Sequence, residues 1–463
     1  MDTLGERFGE DVRAALTNTG VKGKAGDRFQ FTDRREGFCQ VLLLGSGDLS
    51  AVADLRKFAF EAGRAARTQG VASLVLDLRG KLTPNAEQAR LITEGLALSG
   101  YRYAQYLGED ELKPQRLREV SVLTETVDGQ AEGSRRGQIV ADAIARARDL
   151  GNGPGELVTP TFLANTAQEL ATTLSEAGHD VSCTVLDRAA CEARNMGLYL
   201  AVGRGSHEEP KFIHLTYKPK GESKGRVCLV GKGVTFDSGG YSLKPSDAML
   251  GMKLDMGGAA AVIGAFYGVA MLELPYEVHV ISAAAENMIG AHAYRLGDVF
   301  RASNGKTVEI NNTDAEGRLT MADALVYAGE LEPDLIVDFA TLTGACIVAL
   351  GPHITGTMTR DDALAAKWLD AGERAGEEHW RLPLPKALMS MLDSKIADLR
   401  NTGERAGGSL TAGLFLEQFV GEHRWMHVDI AGPAMVNKPF GVNVEGGSGV
   451  PVATILEFLS GEL

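Results

Sequence analysis

The sequence predicts an α/β protein of two domains: a smaller N-terminal α/β domain, and a larger C-terminal α/β domain whose mixed central sheet is flanked by helices. Three observations carry this. A length of 463 residues leaves room for two or three domains. Short apolar runs alternate with segments of helical periodicity, the pattern of helices packed on a parallel or mixed sheet. Glycine is abundant, 56 of 463 residues, or about 12% against a usual ~7%, which suits a turn-rich chain and close backbone approach around a site.

The elements follow in order. QVLLLG (40–45) reads as a short buried strand, and GSGDLS from Gly45 as a turn, because it lacks the third glycine of a nucleotide fingerprint. LRKFAFEAGRAARTQG (55–70) reads as a helix ending at Gly70, ASLVLDLRG (72–80) as a strand, and 85–107 as a second helix. QRLREVSVLTETV (115–127) reads as a further strand. The polar 128–138 stretch is a boundary loop, and 139–152 an amphipathic helix. These readings place an N-terminal α/β domain at 1–127, a linker and bridging helix at 128–150, and the catalytic domain at 151–463. No internal repeat or low-complexity tract is present.

Composition narrows the function classes. The net charge of −14 and the lack of a basic cluster argue against nucleic-acid binding through phosphate neutralisation. Five scattered cysteines without a C-x-x-C fit a reducing, cytoplasmic setting, and Cys228 and Cys346 sit in apolar runs as buried small side chains. The acidic start MDTLGERFGEDVRAAL is no secretory signal, and no run approaching the ~18 apolar residues of a membrane span is expected.

Two stretches of the larger domain concentrate charge. In 226–262, the buried strand VCLV is followed by Lys232, then Asp237 before Ser238-Gly-Gly, then Lys244 and Asp255, and a helix begins at Gly257. In 310–331, Met321, Ala322, Leu325, Val326 and Leu331 recur at helical spacing. Asp314, Glu316 and Arg318 crowd the first turn of that helix. Each residue has an ordinary reading. Thr313 and Glu316 fit a capping box, Asp237 a turn, Asp255 a cap and Lys232 a surface charge.

Together they say more. Four carboxylates arriving at the ends of neighbouring strands and helices would repel one another unless protonated or neutralised. Two divalent cations balance four negative charges, and carboxylate ligands suit Mg²⁺ or Mn²⁺ with zinc also accepted. No H-E-x-x-H occurs and neither stretch contains histidine. A lysine beside such ions is expected to have a lowered pKa and to be able to ligate as the neutral amine. Paired metals clamp a water and polarise a substrate oxygen, which is hydrolytic chemistry. Spacing does not distinguish amide, ester or phosphate.

VGKGVTFDSGG, KLDMGGAAAV and NTDAEGRL resemble the signature segments of the leucyl aminopeptidase family, the two-metal cytosol aminopeptidases. RDLGNGPGELVTP near Arg148, ATLTGA near Thr341 and WMHVDIAGPA near Trp425 agree, so the resemblance covers roughly 147–463. It implies that Asp237 and Glu316 bridge both metals. Lys232 and Asp255 further ligate one ion, and Asp314 ligates the other through side chain and main-chain carbonyl. Lys244 is implied to stabilise the tetrahedral oxyanion and Arg318 to hold a bicarbonate that accepts the water's proton. Met252, Thr341, Leu342, Gly344 and Ala431 would line the pocket for the substrate's first residue.

The implied function is removal of the N-terminal residue, preferentially leucine or another apolar one, from peptides or aminoacyl amides, by a homo-hexamer with sites facing an interior cavity. Two departures concern loops. GSHEEPKF carries Glu209-Pro210 where two prolines are expected, and NVEGGSGVPVATILEFL is only loosely like the family's glycine-rich finish. Other readings are a narrower dipeptidase of the Cys-Gly type and an aminopeptidase with an added DNA-binding role. A metal-free relative is disfavoured because all seven proposed active-site residues are present. The metal in use, the physiological peptides and the N-terminal domain's role are not read from the sequence.

Overall fold

A computed structural model describes residues 8–33, 39–108 and 116–463. The chain divides into two compact units, one ending at Gln138 and one running Ile139–Leu463.

The N-terminal unit opens with α1 (Glu10–Thr19). Strand β1 (Arg28–Asp33) then pairs antiparallel with β2 (Cys39–Leu44), in a register from Arg28↔Leu44 to Asp33↔Cys39. Helix α2 (Val52–Thr68), β3 (Ser73–Asp77), α3 (Ala86–Leu98) and β4 (Glu119–Leu123) follow, with β3 and β4 parallel. Leu55, Ala59, Ala62, Leu76, Leu91, Ile92 and Leu96 make its core. Within it the Glu94 carboxylate takes Arg56 at 2.6 Å and Arg90 at 2.9 Å.

The structure corrects four expectations here. β2 is half-buried rather than buried, because it lies in a two-stranded ribbon with β1, a strand the apolar runs did not reveal. The helix expected over 85–107 stops at Leu98, where the Ser99 hydroxyl donates back to the Leu96 carbonyl. Its start does carry a capping box, but one made by Asn85 and Gln88. The strand expected over 115–127 shrinks to β4, with residue 115 outside the described residues. The polar 128–138 stretch is mostly helical, since α4 runs Gln130–Asn152. Gln130 secures that start by donating to the Pro84 and Thr126 carbonyls. GSGDLS is irregular chain, and Asp48 accepts from the Ser50 N–H as a turn residue does.

In the larger unit, Thr159 caps α5 (Pro160–Glu176). β5 (Asp180–Leu186), α6 (Arg188–Ala193), α7 (Gly197–Val202), β6 (Lys211–Lys218), β7 (Arg226–Gly231) and β8 (Gly233–Asp237) follow. Then come α8 (Ser246–Met249), α9 (Gly257–Met271), β9 (Glu277–Asn287), β10 (Val299–Arg301), β11 (Thr307–Glu309) and α10 (Gly317–Gly329). The chain continues through β12 (Leu335–Ala340), α11 (Gly344–Leu350), β13 (Thr355–Met358), α12 (Asp362–Ala375), β14 (His379–Arg381) and β15 (Leu399–Arg400). It ends with α13 (Gly408–Glu417), β16 (Trp425–Asp429) and α14 (Val452–Ser460).

The main sheet has the order β14-β13-β16-β12-β7-β9-β6-β5, with β8 also pairing β9. β16, β12, β7 and β9 are mutually parallel, whereas β13, β6 and β5 introduce antiparallel pairs. The sheet is mixed and flanked by helices, as the alternation predicted. β9 explains the geometry at its centre. Its first half pairs with β7 and its second half with β8, so the chain breaks register between them, at Lys232.

Lys232 is fixed there by its backbone. Its N–H donates to the Phe339 carbonyl at 2.9 Å, and its carbonyl accepts from Ala259 at 2.9 Å. A Cβ on Gly258 would lie 2.0 Å from the Phe339 oxygen and 2.7 Å from the Lys232 nitrogen, so only glycine lets α9 begin there. Apolar length along 246–271 is greater than the sequence reading allowed. That segment is long and apolar enough to cross a membrane, yet 89% of its apolar window is buried inside the protein, and it serves as core.

Candidate metal centre

The charged residues arrive at the carboxyl ends of β7 and β8, where open α/β sheets keep their ligand crevice, and at the starts of α9 and α10. Lys232 sits at the β7–β8 break and Asp237 ends β8. Asp255 precedes α9, and Asp314 and Glu316 precede α10. Carboxylate oxygens of Asp237, Asp255 and Glu316, all buried, lie within 4.8 Å of one another.

Two lysines interleave with these acids. Lys232 Nζ stands 2.7 Å from the Asp255 carboxylate and 3.0 Å from Glu316 Oε1. Lys244 Nζ stands 2.9 Å from Asp237 Oδ2 and 2.5 Å from Asp314 Oδ1. A Cβ on Gly317 would meet Lys232 Cε at 2.3 Å, so glycine at the first turn of α10 makes room for the lysine. Arg318 is buried, donates from Nη1 to the Asn401 carbonyl at 2.8 Å, and leaves Nε without a partner among the described residues.

Electrostatics match the crowding. Burial, then repulsion from Glu316, pushes Asp237 up to about 7. Burial also drives Asp255 well above the ordinary carboxylate range. Burial opposes ionisation of Glu316 too, but Lys232 and Lys244 overcome it and hold that group down at about 2. Burial pulls Lys232 down, yet Asp255, Glu316 and Asp237 together keep it above its usual value in the ion-free chain. Burial lowers Arg318 to about 10.

The donor set fits divalent cations. It offers three converging buried carboxylates, two of them pushed toward the protonated form, and a Glu316 Oε2 with no hydrogen bond among the described residues. A cation stabilises the ionised form of all three and gives that oxygen a partner. Asp314 is more open than the other acids, on the Lys244 side of the cluster.

The capping box expected at Thr313 does not form. Thr313 is fully buried, donates its hydroxyl to the Gly239 carbonyl at 2.7 Å and accepts from the Ser242 N–H at 2.7 Å. Glu316 stands at the N-cap of α10 without a side-chain cap bond, its carboxylate drawn to Lys232 instead. The hydroxyl therefore fastens the Asp237–Lys244 loop to the Asp314 turn.

Supporting residues escaped the sequence reading. Asn287 donates to Asp237 Oδ1 at 2.7 Å and to the Thr313 carbonyl at 2.9 Å, and the Tyr294 hydroxyl donates to that same carbonyl at 2.8 Å. Asn401 holds the Asp314 turn through the Asn312 and Ala315 carbonyls. Asp429 accepts from Leu342, Thr343 and Ala431. Asn287 and Asp429 each end a strand, and Asp429 lies within the WMHVDIAGPA segment, but the sequence reading gave neither a role.

Of the residues expected in the first-residue pocket, Thr341 touches the cluster directly. Its hydroxyl donates to Asp255 Oδ1 at 2.8 Å, and its carbonyl accepts from Lys232 Nζ at 3.2 Å. Leu342 and Ala431 share Asp429 as acceptor. Met252 lies in the turn before Asp255, half-buried, and Gly344 opens α11, exposed.

Known proteins resemble this chain over nearly its whole length. Residues 145–456 match the model of the cytosol aminopeptidase family catalytic domain, and residues 2–110 that of its N-terminal domain. A probable cytosol aminopeptidase of Gloeothece citriformis is 42% identical over 465 residues, covering 98% of this chain and 92% of the relative. Among solved structures, the bottromycin maturation enzyme BotP in complex with Mn superposes with a TM-score of 0.88 at 39% identity, covering 96% of each chain. A lysine-to-glutamate mutant of tomato leucine aminopeptidase superposes with a TM-score of 0.90 at 35% identity, covering 99% of this chain and 88% of that one.

Proposed function

The chain belongs to the cytosol aminopeptidase family of metal-dependent aminopeptidases, and on that premise we propose that it removes leucine and other apolar first residues from peptides, using two divalent ions per chain. The observation that carries this is the buried Asp237–Asp255–Glu316 cluster interleaved with Lys232 and Lys244. Asp237 and Glu316 would be shared by both ions, Lys232 and Asp255 would complete one site, and the Asp314 side chain and carbonyl the other. Mn²⁺ is the first ion to try, because BotP was solved with Mn; Zn²⁺ and Mg²⁺ also suit the donors. Ions so held lower the pKa of a shared water and polarise a carbonyl oxygen.

The protein's own residues do the rest. Lys244 brings a fixed positive charge to the open side of the cluster, where it stabilises the oxyanion that develops on the scissile carbonyl. Arg318, buried and with no partner for Nε among the described residues, would hold a bicarbonate able to accept a proton. A free α-amine anchored among the carboxylates limits cleavage to the first residue. Apolar pockets discriminate weakly, at about 1–3 kcal/mol per methylene, so tolerance around leucine and methionine is expected.

We also infer a homo-hexamer from the family resemblance.

Exhaustive chelation is expected to abolish hydrolysis of Leu-p-nitroanilide, and Mn²⁺ or Zn²⁺ to restore it. Undiminished turnover after chelation would refute the mechanism.

A further inference from the structure

Asp429 ends β16 and is fully buried. Its carboxylate gathers three donors: the Ala431 N–H at 3.0 Å and the Leu342 N–H at 3.3 Å on Oδ1, and the Thr343 hydroxyl at 2.8 Å on Oδ2. The register Ala340↔Asp429 sets the ends of β12 and β16 side by side. One side chain therefore ties together the loops that leave two neighbouring strands.

Both loops border the acidic cluster. The first carries Thr341, bonded to Asp255 and Lys232. A Cβ on Gly257 would meet Thr341 Cγ2 at 3.2 Å, Ala434 Cβ at 3.5 Å and Ile430 Cδ1 at 3.8 Å, so the two loops converge on the start of α9.

Behind Asp429 lies a buried hydrogen-bonded group. His427 Nδ1 lies 2.5 Å from Asp338 Oδ1, and the Trp425 indole N–H donates to Asp338 Oδ2 at 2.7 Å. His427 and Asp338 are fully buried. Asp429 adds a bond between loops to its charge interactions with His427 and Arg318.

The geometry points to Asp429 as a positioning residue that sets the shape of the first-residue pocket by clamping residues 341–343 to 430–431. This rests on the aminopeptidase reading above. Removing a buried carboxylate that holds three donors leaves all of them unpaired, and replacing it by an amide exchanges one acceptor oxygen for an NH2 that cannot accept. The loops can then drift apart, and because Thr341 is bonded to Asp255 and Lys232, Mn content reports whether the ion ligands move with them.

Asp429→Asn tests this on the full chain, with kcat and KM measured on leucine amide and alanine amide, and bound Mn measured by elemental analysis. The ratio of kcat/KM for the two amides is expected to fall at least tenfold, mainly through KM for leucine amide, with Mn content unchanged. Thr343→Val removes one donor, together with the acceptor that caps the Cys346 N–H at the start of α11, and is expected to shift the ratio the same way, and Thr343→Ser to restore it. This pair also decides the matter if Asp429→Asn does not fold. An unchanged ratio in Asp429→Asn and Thr343→Val would overturn the proposal, as would a change seen only alongside loss of Mn. A wild-type enzyme that cleaves neither amide would overturn the aminopeptidase reading itself.

Discussion

Glu316 faces two demands that only a charged ligand group meets. It is buried between Lys232 and the other acids, and one of its oxygens has no hydrogen bond among the described residues. Glu316→Gln keeps the shape and removes the charge. It is expected to lower kcat at least 100-fold while the thermal transition shifts by only a few degrees; a variant near wild-type rate would contradict the shared-ligand role. The principal charged residues of this centre were legible because so many charges fell at strand ends and helix starts within two short stretches. Their supports were not. Asn287, Tyr294 and Asn401 act through partners 19 to 89 positions away, and no local pattern marks them; Asp429 falls inside the WMHVDIAGPA segment, yet its partners Leu342 and Thr343 lie 87 and 86 positions away. Thr313 shows the opposite failure: its spacing to Glu316 suits a capping box, but burial against the 238–242 loop gives the hydroxyl better partners.

Elements with a clear apolar signature were read well: α2 by its periodicity, and α9, α10 and the strand β7 by apolar stretches buried on nearly every side. Short ribbons and element ends were not. β1 alternates only half-buried and exposed positions, a pattern with little apolar contrast. Helix α4 starts in polar residues whose helical state depends on anchors at Pro84 and Thr126. β14 illustrates a strand whose role lies in one side chain. The Trp368 indole N–H of α12 donates to His379 Nδ1 at 3.1 Å, and His379 Nε2 meets the Thr454 hydroxyl of α14 at 3.1 Å. This arrangement suits the neutral ring, because a proton on Nδ1 would confront the indole N–H. Burial accordingly lowers His379 to about 3. The folded chain thus binds fewer protons than the unfolded one between about pH 3 and 6.5, so stability from this group is full above 6.5 and is lost as pH falls. The melting temperature is expected to drop from pH 6.5 toward 4, and less steeply in His379→Gln. Equal slopes in the two proteins would contradict this reading. Burial lowers His214 as well, to about 4, so the variant's slope is reduced and not abolished.

At the scale of the whole molecule, the α/β class, the two-domain plan and the mixed sheet were readable from alternation and length, and the family from its signature segments. Strand order was not, since it depends on how crossovers stack, as the split pairing of β9 with β7 and β8 shows. Assembly lies beyond a single chain. Light scattering is expected to give the mass of six 49.2 kDa chains, and a monomer at micromolar concentration would refute the hexamer. The most direct test of the metal centre is the stoichiometry of Mn²⁺ binding to chelator-stripped protein, by calorimetry with elemental analysis. Two ions per chain are predicted, with binding lost in Asp237→Asn and Glu316→Gln. No binding by the wild type, or binding unaffected by those substitutions, would contradict a site built on these carboxylates.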